Sequence, residues 1–315
     1  MTKNVSHLHP ELHQVAKKFP AITYSKKNIP LLRWVMRLRP PLKMPRDVLV
    51  ENISIPRPAT QTRIRLRIYK SKTRAAPTPG LLWMHGGGYV LGNPEQDDYR
   101  CAQYVHALGI TVVSVAYRYA PKYPFPAGLD DCYAALKWVA MHSAQMSIDE
   151  KRIAIGGASA GGGLAAALAQ FTHDRQELKI LFQLLVYPML DDRTVLRADL
   201  EAKKHIAWNQ KSNRFGWESY LASECGAETV PPYAVPARRA DLSGLPAAWI
   251  GVGTEDLFYD EAAAYASGLR ACGVACELYR VQGAFHGFDV FDPKLTIVQD
   301  FQNAQIAALK KFLFA

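Results

Sequence analysis

The pentapeptide Gly157-Ala158-Ser159-Ala160-Gly161 places a serine between two glycines. It follows an apolar run at residues 152–156 that predicts a buried strand, and it precedes a Gly- and Ala-rich run at residues 162–169 that predicts a helix. A serine at such a sharp turn exposes its hydroxyl as a nucleophile, and the glycines keep side chains from crowding the strand and the helix. The same pattern is also typical of a glycine-rich core turn without catalytic function, so other stretches must decide between the two interpretations.

A serine hydroxyl is a weak nucleophile that needs a base within hydrogen-bonding reach and an acid that orients the base. His286 follows the last predicted strand, and Glu255, Asp256 and Asp260 follow the strand before it. Both loops lie at the carboxyl ends of parallel strands, the edge that also carries Ser159. We therefore expect Asp256 to orient His286, which takes the Ser159 proton and returns it to the leaving group. Glu255 stays open as an alternative acid, and Asp260 is interpreted as the N-cap of the following helix.

Acyl transfer also needs N–H donors that stabilise the negative oxygen of a tetrahedral intermediate. The run His85-Gly86-Gly87-Gly88-Tyr89 follows an early predicted strand, and its glycines leave the backbone N–H groups free of side-chain obstruction. We expect the N–H groups of Gly86 and Gly87 to form an oxyanion hole together with the N–H of Ala160. His85 is expected to orient this loop rather than to titrate in catalysis.

The elements that must position these residues alternate along the chain. Residues 48–56 and 62–69 have the alternating pattern of an antiparallel pair at a sheet edge. Further strands are predicted at residues 80–85, 110–117, 180–187, 247–252 and 275–281, and helices at residues 97–108, 129–142, 261–271 and 294–314. This order predicts an α/β fold with one mostly parallel sheet covered by helices on both faces. Asp130 and Asp131 fall in the first turn of a predicted helix, where they suit the helix dipole, so we interpret them as structural.

Two segments interrupt this alternation, and both are expected to lie over the same end of the sheet. Residues 1–47 are predicted to be helical, and residues 191–240 form a polar insertion rich in Trp, Tyr and Pro. Between Pro30 and Pro40 one helix face carries Leu31, Trp34, Val35 and Leu38, and the other carries Arg33 and Arg37. Two interpretations fit: a lid whose apolar underside covers a pocket, and a basic amphipathic patch on an anionic membrane surface. The lid is favoured because the helix is short.

Together these motifs resemble the hormone-sensitive-lipase-like family (bacterial family IV) of carboxylesterases in the α/β-hydrolase superfamily. The resemblance runs from about Leu81 to Phe288 and is carried by His85-Gly-Gly-Gly-Tyr89, Tyr117-Arg-Tyr-Ala-Pro121, the Ser159 turn, Asp256-Leu-Phe-Tyr-Asp260 and His286-Gly-Phe288. It implies an α/β-hydrolase fold with an eight-stranded sheet whose second strand is antiparallel. It also implies hydrolysis of short- to medium-chain acyl esters without a cofactor.

The resemblance further implies a division of the chain into a catalytic domain and a cap. Residues 1–47 and 191–240 would form the cap, and residues 48–190 and 241–315 the catalytic domain. The sequence departs from the family pattern at three positions: Ala158 replaces the usual Asp or Thr, Lys122 the usual Glu, and Leu257 the usual Pro. Ala158 removes a polar group beside the nucleophile, which puts loop rigidity and substrate preference in question.

The composition argues against several other classes of protein. The formal net charge is +10, but residues 1–50 hold ten basic and two acidic residues, so the charge belongs to one segment. That segment lacks the aromatic pattern of a nucleic-acid site, and no nucleic-acid partner is expected. No apolar run is long enough to span a membrane, and the N-terminus lacks the apolar core of a signal peptide. We therefore expect no stable membrane insertion. The five cysteines are odd in number and contain no C-x-x-C pair, which is typical of reduced thiols in a cytoplasmic enzyme without a metal site.

The leading hypothesis is a serine carboxylesterase that takes a small-molecule acyl ester through an acyl-enzyme. An interfacial lipase for longer chains and a non-catalytic ligand receptor on the same fold are the alternatives, and the presence of His286 argues against the receptor. The natural ester is open, as is the set of aromatic residues that line the pocket: Tyr89, Tyr187, Trp208, Phe215, Phe258 and Phe288 are candidates. A homodimer is also left open, because the last strand is expected at an exposed sheet edge.

Overall fold

One eight-stranded sheet forms the centre of the molecule, with its strands in the order β1-β2-β4-β3-β5-β6-β7-β8. Strand β2 is antiparallel to both of its neighbours, and all the other pairs are parallel. The strands are β1 Val48–Pro56, β2 Arg63–Ser71, β3 Thr78–Met84, β4 Thr111–Ala116, β5 Ile148–Ala158, β6 Phe182–Val186, β7 Ala247–Gly253 and β8 Cys276–Val281. The predicted mostly parallel α/β-hydrolase sheet, with its second strand antiparallel, is confirmed.

The computed structural model describes residues 5–20, 22–38, 43–58, 60–73, 77–203 and 205–315. Parts of the predicted cap segments therefore lie outside the described residues, namely residues 1–4, 21, 39–42 and 204, and the side chain of Arg37 is not described either. The α-helices of the described chain are α1 His13–Lys18, α2 Ile29–Arg37, α3 Asp98–Leu108, α4 Ala127–Met141, α5 Ala160–Arg175, α6 Ala198–Glu201, α7 Gln210–Leu221, α8 Tyr259–Ala271 and α9 Thr296–Leu313. None of them is long and apolar enough to cross a bilayer.

Helices cover both faces of the sheet, as predicted. Helices α3 and α9 pack together on one face. Helices α4 and α5 pack together on the other, where Gln170 of α5 donates to the hydroxyl of Tyr265 on α8. The central strands β4 and β6 consist almost entirely of buried residues, as expected for parallel strands covered on both sides. The hydrophobic core therefore has two layers, one on each face of the sheet between the strands and the helices. The loops that carry the polar residues lie at the carboxyl edge of the sheet.

The N-terminal segment and the insertion after β6 contact each other. The side chain of Asn209, which caps α7, donates to the carbonyl of Ile22 and to the hydroxyl of Thr23. The N–H of Tyr24 donates to the hydroxyl of Ser212 on α7, and the Tyr24 ring lies 5.1 Å from that of Trp208. Residues far apart in sequence are thus joined above the same edge of the sheet.

Helix α2 is turned the opposite way from the lid that we expected. Its apolar side chains Leu31, Trp34, Val35 and Leu38 are exposed. Arg33, on the other face, lies inward and donates to the carbonyl oxygens of Val90 and Ala120. The prediction that Leu31, Trp34, Val35 and Leu38 form the underside of the helix is therefore wrong. The inner surface offers carbonyl groups that the Arg33 guanidinium satisfies and an apolar side chain does not.

Two carboxylates have structural roles other than those predicted. Helix α4 begins at Ala127, so Asp131 lies beyond the first turn, where it is fully buried and bound by Arg57 and Arg118. Helix α8 begins at Tyr259 with Phe258 as its N-cap, so Asp260 is not a cap. Its carboxylate instead pairs with Arg197 of the insertion, a partner that local sequence does not reveal.

Candidate active site

Ser159 lies at the turn between β5 and α5, in a backbone conformation with φ of 56°. Such a positive φ is strained for a residue with a side chain, and it turns the hydroxyl away from the strand and the helix. The flanking glycines make this turn sterically accessible. A Cβ on Gly161 would overlap the carbonyl oxygen of Met84, and a Cβ on Gly157 would overlap the carbonyl of Gly161. Side chains at these two positions would therefore overlap backbone atoms of the neighbouring strand and of the helix, as expected from the sequence.

The structure brings Ser159, His286 and Asp256 into one hydrogen-bonded chain. The Ser159 Oγ lies 2.9 Å from His286 Nε2, and His286 Nδ1 lies 2.8 Å from Asp256 Oδ2. The second carboxylate oxygen of Asp256 accepts the N–H of Phe258 at 2.9 Å, which fixes the orientation of the carboxylate. All three side chains are largely buried, so water competes little for these bonds. Glu255, the alternative acid, does not make this contact with His286.

The imidazole of His286 is held between two aromatic rings. The rings of Tyr187 and Phe258 lie 4.9 and 5.0 Å from it, both in edge-to-face geometry. These contacts and the two hydrogen bonds leave the ring little freedom to rotate. The imidazole is therefore held in place between the Asp256 carboxylate and the Ser159 hydroxyl.

A buried charge network supports the loop that carries His286. Arg100 of α3 donates from Nη2 to the hydroxyl of Tyr187 and to Asp289 Oδ2, both at 2.9 Å. The hydroxyl of Tyr187 donates in turn to Asp289 Oδ1 at 2.9 Å. Asp289 lies three residues after His286 in the same loop. The guanidinium thus ties both the loop and one aromatic neighbour of His286 to helix α3.

The glycine loop after β3 lies against the serine turn. A Cβ on Gly86 would lie 3.1 Å from the carbonyl oxygen of Ala158 and 3.4 Å from Ser159 Cβ, so only glycine fits comfortably. Gly87 has a φ of 129°, a conformation that favours glycine. Among the described residues no acceptor is bonded to the N–H of Gly86, Gly87 or Ala160. These N–H groups can therefore donate to an oxygen of a bound substrate.

His85 is buried behind this loop. Its Nδ1 lies 2.8 Å from the carbonyl oxygen of Gly86, and its ring stacks on Tyr117 at 4.2 Å. Tyr117 donates its hydroxyl to the carbonyl of His85 at 2.7 Å. Burial lowers the pKa of His85 to about 4, so the ring is neutral near neutral pH. These contacts connect His85 to the loop backbone and leave it without contact to the serine.

A cavity of about 830 Å³ opens on the far side of this loop. Its lining includes the polar side chains of Asn93, Asp97, Arg100 and Asp289, together with His85 of the glycine loop. None of Ser159, Asp256 and His286 lines it. An acyl ester bound in this cavity would be separated from the nucleophile, so we do not assign it as the acyl pocket.

The candidate aromatic residues separate into two groups in the structure. Tyr187 and Phe258 contact His286, and Trp208 covers the glycine loop, where a Cβ on Gly88 would overlap its ring. Phe288 packs instead on Phe301 in the core at 5.0 Å. Tyr89 is also in the core, stacked on Tyr220 at 4.0 Å. Phe215 is partly buried against the core.

Sequence reasoning missed Arg100 and Asp289. Asp289 directly follows the His286-Gly-Phe288 motif, and this position is a sequence signal that could have identified it. Arg100 lies in a predicted helix and has no motif of its own, and only the packing of α3 against the histidine loop shows its contacts. Among the described residues no group of three His, Cys, Asp or Glu side chains is arranged to hold a metal ion.

A serine at a strand-to-helix turn, a histidine and an acid after two later strands, and a glycine loop after an early strand together define an α/β hydrolase. Comparisons with known proteins agree. The family model for the alpha/beta hydrolase fold matches residues 81–290. Carboxylesterase NlhH of Mycobacterium tuberculosis is 31% identical over 312 residues, covering 97% of this chain and 96% of the relative. Esterase LipI of the same species is 34% identical over 270 residues, covering 85% and 83%.

Solved structures give the same result. A bacterial heroin esterase superposes with a TM-score of 0.91 at 31% identity, with 99% of each chain covered. The chain therefore belongs to the hormone-sensitive-lipase-like family of α/β hydrolases, and the resemblance recognised in the sequence is confirmed. It is a carboxylic ester hydrolase.

Proposed function

We propose that this protein is a serine carboxylesterase that cleaves short- to medium-chain acyl esters through an acyl-enzyme. The observation that carries the proposal is the continuous hydrogen-bonded chain from Ser159 through His286 to Asp256, at 2.9 and 2.8 Å. The esterase names of its relatives support the same reaction class.

In the proposed mechanism, Ser159 Oγ attacks the ester carbonyl carbon while His286 Nε2 takes the hydroxyl proton. The carbonyl oxygen becomes negative and is stabilised by the N–H groups of Gly86, Gly87 and Ala160. His286 then gives its proton to the leaving alcohol as the carbon–oxygen bond breaks.

A water molecule next attacks the acyl-serine while His286 takes its proton, and the acid leaves as Ser159 regains its hydrogen. Asp256 keeps its negative charge throughout. It holds the ring with Nε2 facing the serine and stabilises the imidazolium that forms in each step.

The cap is part of the same proposal. Residues 1–47 and 191–240 would cover the entrance, and the contacts of Asn209 with Ile22 and Thr23 support a joint movement of the two segments. Trp208 lies over Gly88 of the glycine loop and would limit the length of the acyl or alcohol group that reaches Ser159. This limit favours short and medium chains over long ones.

Initial rates on p-nitrophenyl esters from acetate to palmitate test the proposal. Wild type should be most active on short or medium chains, and Ser159→Ala should lose turnover while its fold stays intact. Ser114→Ala is the matched control, because it removes a buried serine hydroxyl that lies away from the site, in the middle of β4. Full activity in Ser159→Ala would refute the mechanism, and a maximum at long chains would favour the interfacial lipase.

A further inference from the structure

Helix α2 has two faces, and the more apolar one is turned outward. Ile29, Arg33 and Met36 are spaced along the inner face, where Ile29 is buried and Met36 packs against the core. Leu31, Trp34, Val35 and Leu38 lie on the outer face and are 61%, 58%, 49% and 62% exposed. A surface helix normally buries its apolar stripe against the protein. The outer face of α2 therefore lacks the cover that its side chains favour, at least among the described residues.

This exposure is concentrated in one place. Four of the ten large apolar side chains that are exposed in the described chain lie on this one short helix and its C-cap. Single exposed apolar residues are ordinary, but a contiguous group of them marks an interaction site. With nine residues, α2 extends about 13 Å, which is long enough to lie flat on a surface but not to cross a bilayer.

The charge around the helix indicates what covers it. Between Glu11 and Asp47 the chain carries nine lysines and arginines and no acidic residue. Lys26 and Lys27 lie just before Asn28, the N-cap of α2, Lys43 and Arg46 follow the helix, and all four are exposed. A partner must accept an apolar face and a dense positive charge together. A nucleic acid meets only the second requirement, whereas an anionic lipid surface meets both.

The inner face connects this helix to the glycine loop. Arg33 donates to the carbonyl of Val90, and the N–H of Val90 donates to the carbonyl of Gly87 at 3.0 Å. The outer face of α2 is therefore about one helix diameter, roughly 10 Å, from that loop. A surface bound to α2 would lie beside the entrance to the site.

We propose that helix α2, through Leu31, Trp34, Val35 and Leu38 and the flanking basic residues, docks the enzyme onto an anionic phospholipid surface without insertion across it. The docking goes beyond the proposed esterase function and does not depend on the catalytic residues. It would bring the site to esters dissolved in the membrane. Binding arises from the burial of the apolar face and from attraction between the basic residues and the lipid headgroups, so it weakens as salt is added.

The test is flotation of the full chain with vesicles, in the Ser159→Ala background so that ester turnover does not alter the lipids. We expect binding to vesicles of phosphatidylcholine with phosphatidylglycerol, weaker binding to phosphatidylcholine alone, and release by high salt. Leu31→Gln/Trp34→Gln should lower the partition coefficient roughly tenfold or more. Met141→Gln is the matched control, since Met141 is equally exposed at the end of α4, and it should bind like the parent.

A second readout uses tryptophan fluorescence. Trp34 is exposed, Trp138 is partly buried against the core, and Trp83, Trp208, Trp217 and Trp249 are buried. A blue shift on vesicle addition and quenching by brominated lipid that are both lost in Trp34→Gln would therefore report on α2. The proposal is overturned by a protein that does not float with anionic vesicles, or by a double variant that binds as well as the parent. It is also overturned if Trp34→Gln leaves vesicle binding intact but raises KM for a soluble short-chain ester, because the face would then line the substrate entrance.

Discussion

The guanidinium of Arg100 should be needed both for stability and for the position of His286, the proposed base. It makes bonds of 2.9 Å to Asp289 and to Tyr187 and lies 3.9 Å from Asp97. Arg100→Met would leave two buried carboxylates without their counter-charge. Losing one partner of a buried ion pair costs about 3–5 kcal/mol of unfolding free energy. Burial already raises the pKa of Asp97, and the Arg100 charge counters that rise, so the pKa of Asp97 should rise further in the variant.

The same change should slow catalysis. Asp289 and Tyr187 hold the loop and one face of the His286 ring, and a displacement of about 1 Å at a reacting group can lower the rate about a hundredfold. We expect kcat on a short p-nitrophenyl ester to fall by about ten- to a hundredfold with little change in KM, because the substrate contacts remain. Arg100→Lys, which keeps the charge but not both hydrogen bonds, should lie between wild type and Arg100→Met.

A double-mutant cycle with Asp289→Asn measures the coupling. We expect a coupling energy of about 2 kcal/mol in urea unfolding, since the two side chains are in direct contact. Arg67→Met is the matched control, because Arg67 forms a similarly buried pair with Asp98 of the same helix but does not contact the histidine loop. It should lower stability and leave kcat unchanged. A coupling below about 0.5 kcal/mol, or a kcat as high in Arg100→Met as in the control, would refute the reasoning.

Three further predictions concern the scaffold. Burial lowers the pKa of His85 from 6.5 to about 4, so the unfolded chain takes up this proton first and stability should fall by up to about 3 kcal/mol as pH drops through that interval. Urea unfolding at a pH above 6.5 and at a pH near 4 should show a smaller loss of unfolding free energy in His85→Asn than in wild type. An equal loss would exclude His85 as the cause. Asp131→Asn should lower unfolding free energy by about 3 kcal/mol, because two arginines lose their buried counter-charge; a thermal melt like that of wild type would contradict this. Gly161→Ala should lose most activity because the added Cβ overlaps the Met84 carbonyl, whereas Gly273→Ala, whose Cβ would meet open space, should only be mildly destabilised by its φ of 76°. Activity retained in Gly161→Ala would show that the turn can relax.

The sequence predicted the sheet because its signals are local. Apolar runs of the length of a strand alternate with helical runs, and motif order alone placed the serine, the histidine and the acid at one edge. In the structure these three side chains lie within hydrogen-bonding distance. Glu255 and Asp256 are neighbours in the sequence, so the sequence leaves the choice of acid open. Only the geometry shows that the Asp256 carboxylate contacts His286.

What could not be predicted depends on contacts between distant segments. Periodicity identified the two faces of α2 but not which one lies inward, because that depends on the carbonyl groups of Val90 and Ala120 that Arg33 satisfies. Asp131 pairs with Arg57, 74 residues away, and Asp260 pairs with Arg197, 63 residues away. Because these partners lie in other segments, the sequence around each aspartate indicates only a position near a helix end. Arg100 shows the same limit, since a helix pattern does not reveal what its buried charge faces.

Covalent labelling tests the central claim most directly. Diisopropyl fluorophosphate reacts with an activated serine, because the hydroxyl must first lose its proton to a neighbouring base. Intact mass and peptide mapping should show one label per chain at Ser159, in step with the loss of ester hydrolysis, and no label in His286→Ala. Labelling at another residue, or full hydrolysis by a protein labelled at Ser159, would contradict the account.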